Sequence, residues 1–175
     1  ELTNAQRKML SHYDNATLYN DSIVAQIVKR FQKQDAIVIY VPDHGEECYE
    51  ENRGFICRNH SAEIDWPLAH YEFEIPFWIY CSPKYIRNHR DIYRQIRKAK
   101  DKRFMTDALP HLLLYLAGIE TPTYKEEYNI LSPKYDEMRP RILKNSADYD
   151  KLRDAHLEKI KKEESKKVKK KERRN

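Results

Sequence analysis

An acid and an imidazole are neighbours in the chain at Asp43 and His44, directly after an apolar run and a proline. Carboxylate oxygen and imidazole nitrogen are both ligands that Zn²⁺ accepts in proteins. Gly45 follows, and glycine permits a sharp backbone turn that lets both side chains face one point. The residue types therefore predict a metal site, and a polar turn that only caps a strand fits the same residues.

The run that precedes this pair, 36–41, is almost wholly apolar and rich in β-branched residues. Such composition is typical of a strand buried on both faces of a parallel sheet. Pro42 predicts the end of the strand, because proline donates no hydrogen bond to a sheet. Ligands bind at the carboxyl ends of strands in open α/β sheets, which is where the pair is expected to lie.

Helical patterns alternate with strands along the first half of the chain. A polar lead-in of helical composition covers 1–14, and apolar residues recur at helical spacing over 16–34. A second apolar strand is predicted over 75–81. This alternation indicates an α/β fold with a mainly parallel sheet and flanking helices.

A long polar connection, 46–72, separates the two predicted strands and carries His60 and His70. A loop of this length inside a compact domain is more often functional than idle. The next segments are predicted to be a basic surface helix over 84–103 and a leucine-rich helix over 108–117.

The leucine-rich helix carries recognisable end signals. Thr106 or Asp107 is expected to cap its start, and Gly118 is expected to end it. His111, near its start, is expected to pack or cap rather than to bind a metal. Residues 119–145 are predicted to be loop and turn.

Positive charge is concentrated at the C-terminal end of the chain. Residues 151–175 hold 12 lysines and arginines against 5 acids, whereas the first 150 residues hold 21 against 23. A body without a basic face predicts no nucleic-acid partner. We therefore divide the chain into a body, 1–147, and a basic tail, 148–175, which is expected to be a frayed or disordered charged helix. Such tails are most often solvated, and attraction to an anionic membrane surface is the alternative.

Three cysteines, Cys48, Cys57 and Cys81, form no Cys-x-x-Cys pattern, which excludes zinc-ribbon and thioredoxin-type motifs. Cys48 and Cys57 flank a short loop, where either a disulfide or two buried thiols fit. No apolar run approaches the roughly 20 residues that span a bilayer.

Five segments resemble the phosphoethanolamine transferases of the sulfatase and alkaline-phosphatase superfamily, and they follow the order of that family. They are 13–21, 38–47, 55–60, 74–80 and 109–119. The resemblance implies an alkaline-phosphatase-like sheet with flanking helices, present here as a partial domain. Family members carry transmembrane helices and a first half-domain with a Thr nucleophile and a Glu ligand. No catalytic nucleophile is therefore expected in this chain.

The same resemblance implies roles for several side chains. It makes Asp43 and His44 ligands of Zn²⁺, or of another divalent metal, that lowers the pKa of the nucleophile and polarises a phosphoryl oxygen. It assigns His60 to the substrate phosphate or to a second metal, with His70 as the competing candidate. Glu46 is expected either to support the loop as a hydrogen-bond acceptor or to lie in solvent.

The implied reaction moves phosphoethanolamine from a phospholipid donor, through a covalent Thr intermediate, to a lipid A or glycan acceptor. The implied location is the bacterial inner membrane, with the catalytic domain facing the periplasm and the N-terminal half of the same protein as partner. Two alternatives remain open. One is a sulfatase or phosphodiesterase of the same superfamily, and the other is a non-catalytic binding module with a basic tail.

Overall fold

The computed structural model describes residues 2–50, 53–57 and 63–172. The chain divides into two compact units, each built from two segments. The first unit comprises Glu1–Pro42 and Pro76–Arg139, and the second comprises Asp43–Ile75 and Pro140–Asn175. The second unit therefore begins at the acid of the predicted site. The boundary predicted between residues 147 and 148 stays a prediction.

The first unit opens with one long helix, α1, Asn4–Phe31. Thr3 and Gln6 form a capping box, in which each side chain accepts a hydrogen bond from the backbone N–H of the other residue. The polar lead-in and the predicted helix over 16–34 are thus a single helix. The reason is that no glycine or proline interrupts the first 34 residues.

Strand β1, Ile37–Tyr40, pairs with β4, Trp78–Cys81, and Ile39 lies opposite Ile79. The pairing is antiparallel, as is every strand pair in the described part of the chain, so the expectation of a mainly parallel sheet is wrong. An apolar run indicates burial and carries no information on the direction of the neighbouring strand. β1 is moreover half-buried rather than covered on both faces.

Three helices complete the first unit: α3, Pro83–Asn88; α4, Arg90–Ala99; and α5, Leu109–Ala117. The surface helix predicted over 84–103 is two helices because His89, with φ −124° and ψ 51°, leaves helical geometry. Gly118 ends α5 in the left-handed conformation with φ 66°, which confirms the predicted stop. The core around α5 is apolar and consists of Ala99, Leu112, Ile130 and Leu131.

The predicted cap of α5 is wrong. A 3-10 turn, Thr106–Ala108, leads into the helix, and its N-cap residue is Ala108, without a capping side chain. The Asp107 carboxylate instead accepts two hydrogen bonds from Arg139, at 2.6 and 2.7 Å. These hydrogen bonds are the main reason why the pKa of Asp107 lies below its usual value.

The second unit is built around two helices and two short hairpins. The hairpins pair β2, Glu47–Cys48, with β3, Phe55–Cys57, and β5, Ile142–Leu143, with β6, Ala147–Asp148. The helices are α2, Trp66–Phe73, and α6, Tyr149–Glu172. The connection predicted to be a loop over 46–72 thus contains a hairpin and most of a helix. The short strand β5 also lies within 119–145, which was predicted to be loop and turn.

Helix α6 packs against α2 through aromatic side chains. Trp66 stacks on His156 with ring centroids 5.3 Å apart and lies against Tyr149 at 5.7 Å. The Tyr149 hydroxyl donates to Glu74, and burial, reinforced by this carboxylate, raises the pKa of Tyr149 to about 12. The tail is therefore helical, and these contacts join its first turns to the body. Within the described residues, no helix has the length and apolarity to cross a bilayer.

Two neighbouring residues of α5, Leu112 and Leu113, allow a test of the apolar core around this helix. Leu112 is fully buried, whereas Leu113 is 45% exposed. Leu112→Ala is expected to lower the free energy of unfolding by about 2–5 kcal/mol, because it removes buried methyl groups and leaves a cavity. Leu113→Ala is expected to cost less than about 1 kcal/mol. Urea unfolding followed by circular dichroism measures both, and equal losses would contradict the assignment of the core.

Candidate metal centre

Asp43 and His44 lie side by side at the start of the second unit. Asp43 Oδ2 is 3.3 Å from His44 Nε2. The Asp43 side chain is 84% exposed and the His44 side chain 23%. An oxygen donor and a nitrogen donor are thus brought together where a cation from solvent can reach them.

The other nitrogen of His44 fixes which atom faces the carboxylate. His44 Nδ1 lies 2.8 Å from the carbonyl oxygen of Gly45. A carbonyl only accepts, so Nδ1 donates to it, and Nε2 is the ring nitrogen that faces Asp43. Histidines that bind metals typically donate their second ring N–H to a carbonyl or a carboxylate in this way.

The separation of the two donors fits a tetrahedral cation. Zn²⁺ with ligands at about 2.0–2.1 Å in tetrahedral geometry holds two of them about 3.3 Å apart. Within the described parts of the chain, however, no group of three or more His, Cys, Asp and Glu side chains is placed to hold a metal. Asp43 and His44 would therefore supply at most two of the four ligands that Zn²⁺ usually takes.

Gly45 is held against the C-terminal end of α2. Its N–H donates to the carbonyl of Glu72 at 2.8 Å, and a β-carbon at this position would lie 2.1 Å from the carbonyl oxygen of Tyr71. Its φ is not in the left-handed region, unlike those of Gly54 and Gly118. Glycine is thus required here for close backbone approach, and not for the sharp turn that the sequence suggested.

Glu47 holds the same segment to the other end of α2. Its side chain is fully buried, and Arg53 Nε donates to its Oε1. Arg53 Nη1 donates to Asp65 at 2.6 Å, and Asp65 caps α2 by accepting from the N–H of Leu68 at 3.0 Å. Sequence reasoning missed Glu47, because an acid among other acids in a polar stretch gives no signal that it is buried.

The remaining candidates have different surroundings. His60 lies outside the described residues. His70 lies on α2, where its ring stacks on Trp66 at 5.5 Å and its Nδ1 is 3.0 Å from Glu74. His70 thus has packing contacts on its own helix, and no described metal group includes it. Glu46 is half-buried, and its supporting role stays a prediction.

His111 packs as expected. Its Nδ1 accepts from the N–H of Lys125 at 3.1 Å, and its ring lies against that of Tyr128 at 5.2 Å.

Cys48 is buried, and burial raises the pKa of the Cys81 thiol. The choice between a disulfide and two thiols at Cys48 and Cys57 stays open.

The chain is similar in sequence to known enzymes over much of its length. The sulfatase family model matches residues 1–119. Phosphoethanolamine transferase EptC of Escherichia coli (strain RS218) is 32% identical over 128 residues, which are 71% of this chain and 21% of that protein. The Kdo(2)-lipid A phosphoethanolamine 7''-transferase of E. coli K12 is 31% identical over 99 residues, 55% of this chain and 16% of that protein. The chain spans about a fifth of the length of these curated relatives.

Solved structures share the fold. The C-terminal periplasmic domain of EcEptC from E. coli, crystallised in complex with Zn, matches with a TM-score of 0.69 and 27% identity. The match covers 87% of this chain and 43% of that chain. The corresponding domain from Campylobacter jejuni matches with a TM-score of 0.57 at 24% identity, which shows the fold alone. The expected alkaline-phosphatase-like fold, present as a partial domain, is confirmed.

The ion pair between the buried Glu47 and the partly exposed Arg53 allows a stability test. Arg53→Met leaves a carboxylate buried without its partner and is expected to lower the free energy of unfolding by about 3–5 kcal/mol. Adding Glu47→Gln removes the buried charge, so the double variant is expected to be more stable than the single one. Urea unfolding measures all of these variants.

An exposed arginine provides the matched control. Arg94 is 71% exposed and pairs with Asp91 at 2.8 Å. Arg94→Met is expected to cost less than about 1 kcal/mol, because an exposed ion pair contributes little. Equal losses for the Arg53 and Arg94 variants would show that Glu47 does not depend on its partner.

Proposed function

The chain belongs to the sulfatase family, and from this membership we propose that it is the C-terminal part of a metal-dependent phosphoethanolamine transferase. The observation that carries the proposal is the Asp43–His44 pair, in which Asp43 Oδ2 and His44 Nε2 are 3.3 Å apart. The pair lies within the segment that the family model matches. Both relatives described above are phosphoethanolamine transferases.

In this proposal Asp43 and His44 would hold the cation, and the contact of Nδ1 with the carbonyl of Gly45 leaves Nε2 as the nitrogen available to it. The bound cation supplies Lewis-acid chemistry, which lowers the pKa of a coordinated nucleophile and polarises a phosphoryl oxygen. We favour Zn²⁺ because the matching crystal structure is a complex with Zn and the donor separation fits it. The other ligands and a Thr nucleophile would lie on polypeptide beyond this chain.

The proposed substrates are lipids. We propose a phospholipid as donor of phosphoethanolamine and lipid A as acceptor, since one matching relative is named for Kdo(2)-lipid A. His60 is proposed to contact the substrate phosphate. The proposed location is the bacterial inner membrane with the catalytic domain in the periplasm, since the matching E. coli structure is a periplasmic domain.

A second candidate is a sulfatase or phosphodiesterase of the same superfamily, because the family model itself is that of the sulfatases. The two candidates differ in the nucleophile that completes the site. A Cys or Ser converted to formylglycine upstream of this chain would favour a sulfatase, whereas a Thr would favour the transferase.

The metal pair is tested in the full-length protein. Asp43→Asn and His44→Asn are each expected to lower transfer of phosphoethanolamine to lipid A at least about 100-fold, because each removes a ligand. Mass spectrometry of lipid A measures the transfer, and bound zinc is measured by elemental analysis. Asp101→Asn and His12→Asn, at exposed positions, are controls expected to retain activity.

The 175-residue chain by itself is expected to show no transfer, because the proposal places the Thr nucleophile outside it. The measurement is the same lipid A assay with the purified chain and a phospholipid donor. Detectable transfer by this chain would contradict the proposal that the nucleophile lies elsewhere. Full activity of both Asp43 and His44 variants would refute the proposed metal site.

A further inference from the structure

Helix α6 has two halves with different surroundings. The first half, 149–156, packs on α2 through Tyr149 and His156. In the second half, 157–172, every side chain that the structure describes is exposed, from 157 to 167. A helix of 24 residues is about 36 Å long, so its second half extends well past the turns that hold it.

Charge follows the same division. The first half holds two acids and two bases, and Asp150 accepts from Arg141 at 2.6 Å and pairs with Arg153 at 3.2 Å. From 157 to 175 the chain holds ten lysines and arginines and four glutamates. Lys162 pairs with Glu158 at 3.5 Å, the one ion pair seen for a lysine among the described side chains of this half. The positive charge is thus concentrated where the helix leaves the body.

Two apolar side chains are exposed in the basic half. Leu157 is 44% exposed and Ile160 37%. They are three residues apart and therefore lie on the same face of the helix. Clusters of four or more lysines and arginines on a helix bind anionic bilayers by electrostatic attraction, and apolar side chains beside them add contacts with the headgroup region.

We propose that the second half of α6 docks onto an anionic phospholipid surface. The choice of lipid over another polyanion rests on the proposed function, whose donor and acceptor are lipids, and on the exposed Leu157 and Ile160. Because the first half of α6 is fixed to α2, docking attaches the whole second unit to the membrane. This unit carries Asp43 and His44.

The test is co-sedimentation of the purified chain with vesicles at low and at moderate salt. Binding is expected to vesicles of phosphatidylethanolamine with phosphatidylglycerol, to be absent with phosphatidylcholine alone, and to weaken as salt rises. The test variant replaces five exposed lysines by glutamine: Lys159, Lys161, Lys162, Lys166 and Lys167. Since each lysine near the surface strengthens binding about fivefold, this variant is expected to bind at least about tenfold more weakly.

The matched control removes the same charge from a helix of the first unit. It replaces five exposed bases of α4 and its end by glutamine: Arg90, Arg94, Arg97, Lys98 and Lys100. This control is expected to bind within about twofold of the wild-type chain, because general attraction is screened beyond about 10 Å. Circular dichroism of both variants establishes that they remain folded.

Three results would overturn the proposal. They are failure of the wild-type chain to bind anionic vesicles, equal loss of binding in the two five-residue variants, and tighter binding to single-stranded DNA than to vesicles at the same salt. Vesicle binding requires neither metal nor transfer, so its failure leaves the proposed function intact. Conversely, a variant that has lost the metal site is still expected to bind the vesicles.

Discussion

The close approach of Gly45 to the end of α2 is the constraint on which the predicted site depends. A side chain at this position would collide with the carbonyl of Tyr71. This restricts how the backbone after His44 can pack against the helix. At the other end of α2, the buried Glu47 reaches Asp65 through Arg53. Both ends of one short helix thus hold the segment that follows Asp43 and His44.

The charges of Asp43 and His44 explain why the two residues would suit one part of a larger metal site. In the proposed metal site, one carboxylate and one neutral imidazole would offset a single positive charge, so a bound dication would retain one. That remaining charge attracts further anionic groups, such as a second carboxylate or a phosphate oxygen. The high exposure of Asp43 leaves room for them. An isolated pair of donors at a surface is therefore what the chain should present if other polypeptide completes the cage.

How far the sequence predicts this molecule depends on the range of the interactions. Some local signals were confirmed: Gly118 ends α5, and the side chains of Asp43 and His44 lie side by side. Features set by distant partners were not predictable. Asp107 has the composition of a cap, yet Arg139, 32 residues further on, binds its carboxylate instead. The direction of a neighbouring strand and the burial of Glu47 likewise depend on residues that are distant in the sequence, and local patterns do not identify them.

The two-stranded sheet of β1 and β4 has a consequence for the chain in isolation. Each of its strands has a partner on one side only within the described residues, which leaves a row of backbone donors and acceptors on each outer edge. Such edges accept additional strands readily, whether from the remainder of a larger sheet or from another molecule. A chain of this kind is therefore prone to self-association during expression unless its natural neighbouring polypeptide is supplied with it.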